Sequence, residues 1–152
     1  MGDESRELVS NRKAGFDYAI LETFEAGLVL VGTEIKSLRD HGGSLQEAYV
    51  RPDRGELWLI GCRIAPYRFG NIHNHEERRD RKLLMHSREI ERLARSVQEK
   101  GLTLVPLSIY LKKGRAKMKI ALAKGKRTMD KREAIKERED KRRIQRAMRD
   151  HS

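Results

Sequence analysis

Residues 102–123, LTLVPLSIYLKKGRAKMKIALA, carry the pattern that decides the fold. Two apolar, strand-like runs, Leu102 to Leu111 and Arg115 to Ala123, flank Lys112, Lys113 and Gly114, where glycine permits a reversal. The segment is therefore predicted as a β-hairpin. In its later run Met118, Ile120 and Leu122 alternate with Lys117, Lys119 and Ala121. A strand's period of two puts the first set inside and leaves a largely basic outer face. Tyr110, between Ile109 and Leu111, is expected on the outer face of the earlier strand.

Just upstream, Ile90, Leu93, Ala94 and Val97 form an i, i+3, i+4, i+7 stripe, with Ser87 as the expected N-cap and Gly101 as the stop. That is an amphipathic helix. Pro66 to Asp80 has little periodicity and is expected to be a long surface loop. Before it, Gln46 to Arg51 and Glu56 to Ile60 flank Pro52-Asp53-Arg54-Gly55, a second hairpin. Thr33 to Asp40 reads as a short helix capped by Thr33, and Phe16 to Leu21 and Leu28 to Val31 read as strands parted by a turn at Glu25-Ala26-Gly27. Residues 1 to about 10 are mostly polar and are expected to be a flexible lead-in. Five or six short strands, two helices and no βαβ rhythm argue for a mainly β architecture with flanking helices, best suited by an OB-like small barrel over residues 11–129.

At 152 residues with one Cys, a single core needs neither disulfide nor metal, and Cys62 is expected to be a small buried residue. No run approaches the roughly 18 apolar residues of a membrane span, and the N-terminus lacks the apolar block of a signal peptide, so a cytoplasmic protein is expected. The net charge is +11, which favours a polyanionic partner. It is unevenly placed: residues 124–152 hold 12 Lys+Arg against 6 Asp+Glu and only six Ala, Ile or Met. In the tail, residues 130–152, only Ile135, Ile144, Ala147 and Met148 supply an apolar stripe. Too thin to dock, it is expected to be disordered when free and helical when bound.

Catalytic alternatives are weak. Glu34-Ile35-Lys36 has the E-x-K spacing of metal-dependent nucleases, with Asp17 or Glu25 as partner carboxylate, but it falls on an expected helix rather than a strand. His73, His75 and His86 are ordinary surface imidazoles more often than metal ligands. The run from Lys124 to Thr128 fails as a phosphate loop, because Ile120 occupies the first glycine position and Arg127 that of the Ser/Thr. No metal or cofactor is expected, and no catalytic residue is assigned. Basic residues with aromatic company fit RNA better: Asn11, Arg12, Lys13 and Tyr18; Arg78, Arg79, Arg81 and Lys82; Lys117, Lys119, Lys124, Lys126 and Arg127. Any one cluster alone would be a solvated face; three with a basic tail tilt the reading to RNA binding.

Asn11-Arg12-Lys13-Ala14, Phe24-Glu25-Ala26-Gly27-Leu28, Gly32 to Arg39, Arg81-Lys82-Leu83-Leu84, Lys100 to Leu107, Ala123 to Lys126 and Asp130-Lys131-Arg132 resemble, in order, the blocks of the bacterial small protein B family, over residues 11 to about 140. That family is the tmRNA-binding, or SsrA-binding, partner in trans-translation. The resemblance implies an OB-like barrel that binds the tRNA-like domain of tmRNA without catalysis, as a monomer, with the ribosome as second partner. It assigns tmRNA contact to Glu25, Leu84 and Lys117. Asp130, Lys131 and Arg132 start the tail that enters the decoding region, where Ile144 and Met148 lie on the helix-prone part. It also implies that Glu34 and Lys36 belong to a non-catalytic helix. Met129 departs from the family's usual ring. The implied mechanism is mimicry, the body filling the place of the missing anticodon arm and the tail the empty mRNA channel.

Overall fold

The structure is a computed structural model, and it describes residues 5–40, 42–70 and 74–125. The strands are β1 (Ser5–Ser10), β2 (Tyr18–Leu28), β3 (Gly43–Ser44), β4 (Tyr49–Asp53), β5 (Glu56–Ile60), β6 (Arg63–Ile64), β7 (Arg81–Leu84), β8 (Thr103–Lys112) and β9 (Arg115–Gly125). The helices are α1 (Ala14–Asp17), α2 (Gly32–Arg39) and α3 (Ser87–Lys100). The main sheet runs β1-β8-β4-β5-β7-β2-β9, and β9 also pairs with β8. That last pairing closes six antiparallel strands into a small barrel, with β1 added on β8 and β3–β6 forming a separate two-stranded ribbon. The expected mainly β small barrel is what the chain forms.

Alternation builds the core as the hairpin predicts. Met118, Ile120 and Leu122 point inward with Leu57, Leu59, Leu83, Leu104 and Ile109, all buried. The β8–β9 reversal uses Lys113 (φ 53°) and Gly114 (φ 76°), and the β4–β5 reversal Arg54 (φ 50°) and Gly55 (φ 79°). Two consecutive positive φ values match the right-handed twist of a tight hairpin, and glycine takes the second at no steric cost. α3 buries Ile90 and Leu93 and ends at Gly101 in the left-handed conformation, packing on β4, β5 and β8. Outside the barrel, Ala14, Val105, Ala121 and Ala123 form a second small core under Tyr18 and Leu107. Ala121 thus sits on the outer face, as expected, but is covered. Cys62 is buried as expected, and burial pushes its thiol up to about 11, keeping it protonated.

Several expectations need correction. Residues 5–10 are a strand paired with β8, so the lead-in is part of the sheet. Phe16 and Asp17 lie in α1, and β2 then runs unbroken through Glu25-Ala26-Gly27 to Leu28, with no turn. Gly27 serves close approach instead: a Cβ there would lie 3.3 Å from Leu84 Cβ. Ser87 and Thr33 do not cap their helices. His86 precedes α3, Val31 precedes α2, and the Thr33 hydroxyl lies 2.8 Å from His75 Nδ1. β3, β6 and β7 have no counterpart among the strands expected from sequence. The expected tail, residues 130–152, lies outside the described residues. Among those residues no helix is long and apolar enough to cross a membrane.

Candidate nucleic-acid interface

Register brings three distant sequence blocks together. Tyr110 of β8 lies opposite Lys117 of β9, Lys117 opposite Gly27 of β2, and Gly27 opposite Leu84 of β7. One row therefore crosses four strands. The neighbouring row joins Ser108, Lys119 and Glu25. Both rows face outward, since the alternating partners Ile109, Met118, Ala26 and Leu83 are buried. Gly27 supplies no side chain, so Leu84 packs against the backbone there and its own side chain stays 53% exposed.

The electrostatics of this patch are shaped around one acid. Tyr110 donates its hydroxyl hydrogen bond to Glu25 Oε2, and Lys112 Nζ lies 3.5 Å from the same oxygen. The phenol's hydrogen bond leads in holding the Glu25 carboxyl below its usual range; burial opposes it, and Lys112 and Lys117 add attraction. Tyr110 is pushed up in turn by burial and by its anionic partner. An open depression of about 620 Å³ is lined by Glu7, Thr23, Phe24, Glu25, Ser108, Tyr110, Lys112 and Lys119. It presents an ionised acceptor and a phenol ringed by lysines: groups for sugar hydroxyls and bases inside groups for phosphates. Tyr110, Lys112, Ser108 and Phe24 were not named as site residues from sequence, although the period-two alternation around Tyr110 pointed to that face.

The other expected contacts divide. Asn11 is half-buried, its amide donating to the Pro106 carbonyl at 2.9 Å while its backbone N–H donates to Leu107. It fastens α1 to β8, and Arg12 and Lys13 beside it are exposed. Tyr18, opposite Gly125, brings that pair to the end of β9, where Lys124 is exposed opposite Ala19. By strand rise this second basic area begins about 17 Å along β9 from Lys119. Lys82 is half-buried and 3.5 Å from Glu56. Arg81 is corrected outright. It is wholly buried, donating from Nε to Glu34 Oε2 at 2.5 Å and from Nη1 to the Cys62 and Arg79 carbonyls at 2.8 and 3.0 Å, so it meets no ligand on the surface. Lys126, Arg127, Asp130, Lys131, Arg132, Ile144 and Met148 lie outside the described residues, as does Met129.

The E-x-K triplet has a different use. Glu34 is buried on α2 and accepts from Arg81, from Arg79 Nη2 at 2.5 Å and from the Val31 N–H at 2.9 Å. Burial alone would raise its pKa, but these partners prevail and the carboxyl is held down. With both oxygens occupied by guanidinium it has no lone pair for a cation. His75 is likewise engaged, between Thr33 and the Ile64 carbonyl, His86 is exposed, and His73 lies outside the described residues.

Comparison with known proteins gives a single answer. The family profile described as SmpB protein matches residues 8–150. The SsrA-binding protein of Protochlamydia amoebophila is 65% identical over 148 residues, 97% of each chain. That of Chlamydia muridarum is 57% identical over 143 residues, 94% of this chain and 95% of its own. A solved structure from the work "tmRNA-SmpB: a journey to the center of the bacterial ribosome" superposes with a TM-score of 0.67 at 45% identity, covering 89% of this chain and 95% of the other. With a profile match across nearly its whole length and relatives this close, the chain belongs to the SmpB protein family.

Proposed function

We propose that the protein binds the tRNA-like domain of tmRNA, the SsrA RNA, and delivers it to stalled ribosomes, acting in the cytoplasm as a monomer and making or breaking no bond itself. The observation that carries this reading is the convergence of Glu25, Leu84 and Lys117, scattered over more than 90 residues of chain, into one outward patch of a chain whose relatives are named for binding SsrA RNA. Lys112, Lys117 and Lys119 neutralise phosphates. Glu25, kept ionised by Tyr110, accepts from a 2′-hydroxyl or a base amino group, and Leu84 packs against an exposed base or sugar. Arg12, Lys13, Tyr18 and Lys124 extend the contact, with Lys126 and Arg127 beyond. The body takes the place of the missing anticodon arm. The tail, beginning at Asp130, Lys131 and Arg132 and running through Ile144 and Met148, occupies the empty mRNA channel at the decoding region and orders there against rRNA phosphates.

Filter binding to purified tmRNA tests the first half. If six to ten phosphates are contacted, raising salt from about 50 to 200 mM weakens binding by roughly 10³- to 10⁵-fold; a flat response refutes it. Incubating the complex with magnesium and analysing the RNA by gel tests the second claim, since cleavage would make the chain a nuclease. Truncation after Thr128 tests the division of labour. tmRNA affinity should largely persist while peptide tagging on stalled ribosomes is lost, and normal tagging without the tail would sink the mimicry mechanism.

A further inference from the structure

The most exposed large apolar side chain among the described residues is Phe69, at 66%, and it stands on a turn built to hold it there. The Gly70 N–H donates to the Tyr67 carbonyl at 2.9 Å, closing a β-turn with Arg68 and Phe69 at its corners. Asn74 clamps the turn from both sides, accepting from the Tyr67 N–H at 2.9 Å and donating to the Tyr67 carbonyl at 2.6 Å. The clamp fixes the backbone from which the Phe69 ring projects.

The surroundings are cationic and aromatic. Arg68 lies over the Phe69 ring at 5.0 Å from its centroid, Lys36 of α2 over the Tyr67 ring at 5.7 Å, and the two rings meet edge-to-face at 5.5 Å. Arg39 is exposed one turn along α2 and lines the adjoining hollow with Arg68 and Tyr67. Asp40, 3.8 Å from Arg68, is the opposing charge. A protein-docking patch would favour a larger apolar area; a single projecting ring among three cations is instead the arrangement for an unpaired base stacked between phosphates. None of these residues belongs to the patch of Glu25, Leu84 and Lys117, and they come from α2 and the segment after β6 rather than from β2, β7, β8 and β9.

We infer that the Tyr67–Gly70 turn, with Lys36, Arg39 and Arg68, is a second RNA-contact site of the protein body, at which Phe69 stacks on an unpaired base of ribosomal RNA. The choice of ribosomal RNA rests on the proposed function, in which the four-strand patch is already taken by tmRNA and a bridging protein needs another face. Full-length protein carrying Phe69→p-benzoylphenylalanine, bound to purified tmRNA and vacant small ribosomal subunits, is irradiated and the crosslinked species sequenced. The expected product is a crosslink to small-subunit rRNA. A crosslink to tmRNA, one to ribosomal protein alone, or none would each overturn the inference. In parallel, Phe69→Ala should weaken subunit binding about tenfold while tmRNA affinity stays within about twofold, Phe69→Trp should restore it, and Arg68→Ala should lower the salt slope of subunit binding by somewhat under one. Equal loss of both affinities would assign the turn to the tmRNA surface. Wild-type tmRNA affinity in the same preparation reports separately on the proposed function, so a failure there is told apart from a failure of the turn.

Discussion

Two glutamates, nine residues apart in the chain, are both held ionised by donors and do opposite work. Glu34 lies between Arg79 and Arg81 with no exposed surface, each guanidinium at 2.5 Å. Glu25 lies beside Tyr110 and Lys112 on the open outer face of the barrel. In the first site every oxygen and nearly every guanidinium nitrogen is spent on the protein, including the Cys62, Arg79, Glu76 and Glu77 carbonyls that receive Arg81. In the second, water and a ligand retain access. Charge type therefore says little about role; whether the surrounding atoms have already satisfied the charge says most.

The largest effect should come from breaking the buried site. Arg81→Leu strips Glu34 of its buried partner and leaves four carbonyls to find water, so a loss of about 3–5 kcal/mol is expected in chemical denaturation. A loss under about 1 kcal/mol would erase the contrast between the two glutamates. Lys117→Ala is the complementary change on the open face. Stability should move by no more than about 0.5 kcal/mol, while tmRNA binding weakens and its salt slope falls by about 1. If the melting temperature drops instead, Lys117 belongs with the structural charges.

The smallest effect sharpens the comparison. Tyr110→Phe removes only a hydroxyl from an exposed carboxylate and should cost about 1 kcal/mol or less. Its signature is in titration by NMR. The Glu25 pKa is depressed when folded, so its contribution is complete above the ordinary value of 4.5 and is lost as pH falls through the lowered one. The variant should titrate nearer 4.5, shrinking that acid-side loss. An unmoved Glu25 titration would show that the lysines alone hold the carboxylate ionised.

What the sequence made legible follows the same physics. The β8–β9 hairpin, α3 and the β4–β5 turn announced themselves because alternation, an i, i+3, i+4 stripe and glycine at positive φ are local signals. β7 escaped because Arg81 points inward, which breaks the apolar alternation that marks a strand; only its distant partner Glu34 makes that burial tolerable. β1, Ser-Arg-Glu-Leu-Val-Ser, is an edge strand with little apolar content and acquires its conformation from β8. Gly27 reads as a turn in sequence because glycine serves both turns and close contacts, and the contact here is with Leu84, 57 positions away. In the site, residue type and family resemblance marked Glu25, Leu84 and Lys117, whereas their meeting depended on cross-strand register. Arg81 was misplaced for the same reason that β7 was missed.

The ring of strands also sets an order of events during synthesis. Among the described residues β9 is the last strand made, yet it is the one that joins β2 to β8, and its partners in β2 lie some 90 to 107 residues earlier. Until Arg115–Gly125 has emerged, the nascent chain holds two unpaired edges and an uncovered apolar interior. Closure is therefore a late event dominated by contacts distant in sequence, which places folding toward the slower range, about milliseconds to seconds, for a domain of this size. At roughly 5–20 residues per second, making the residues from the end of β8 to the end of β9 takes about 1–3 s, an interval in which those edges and that apolar surface are open to aggregation.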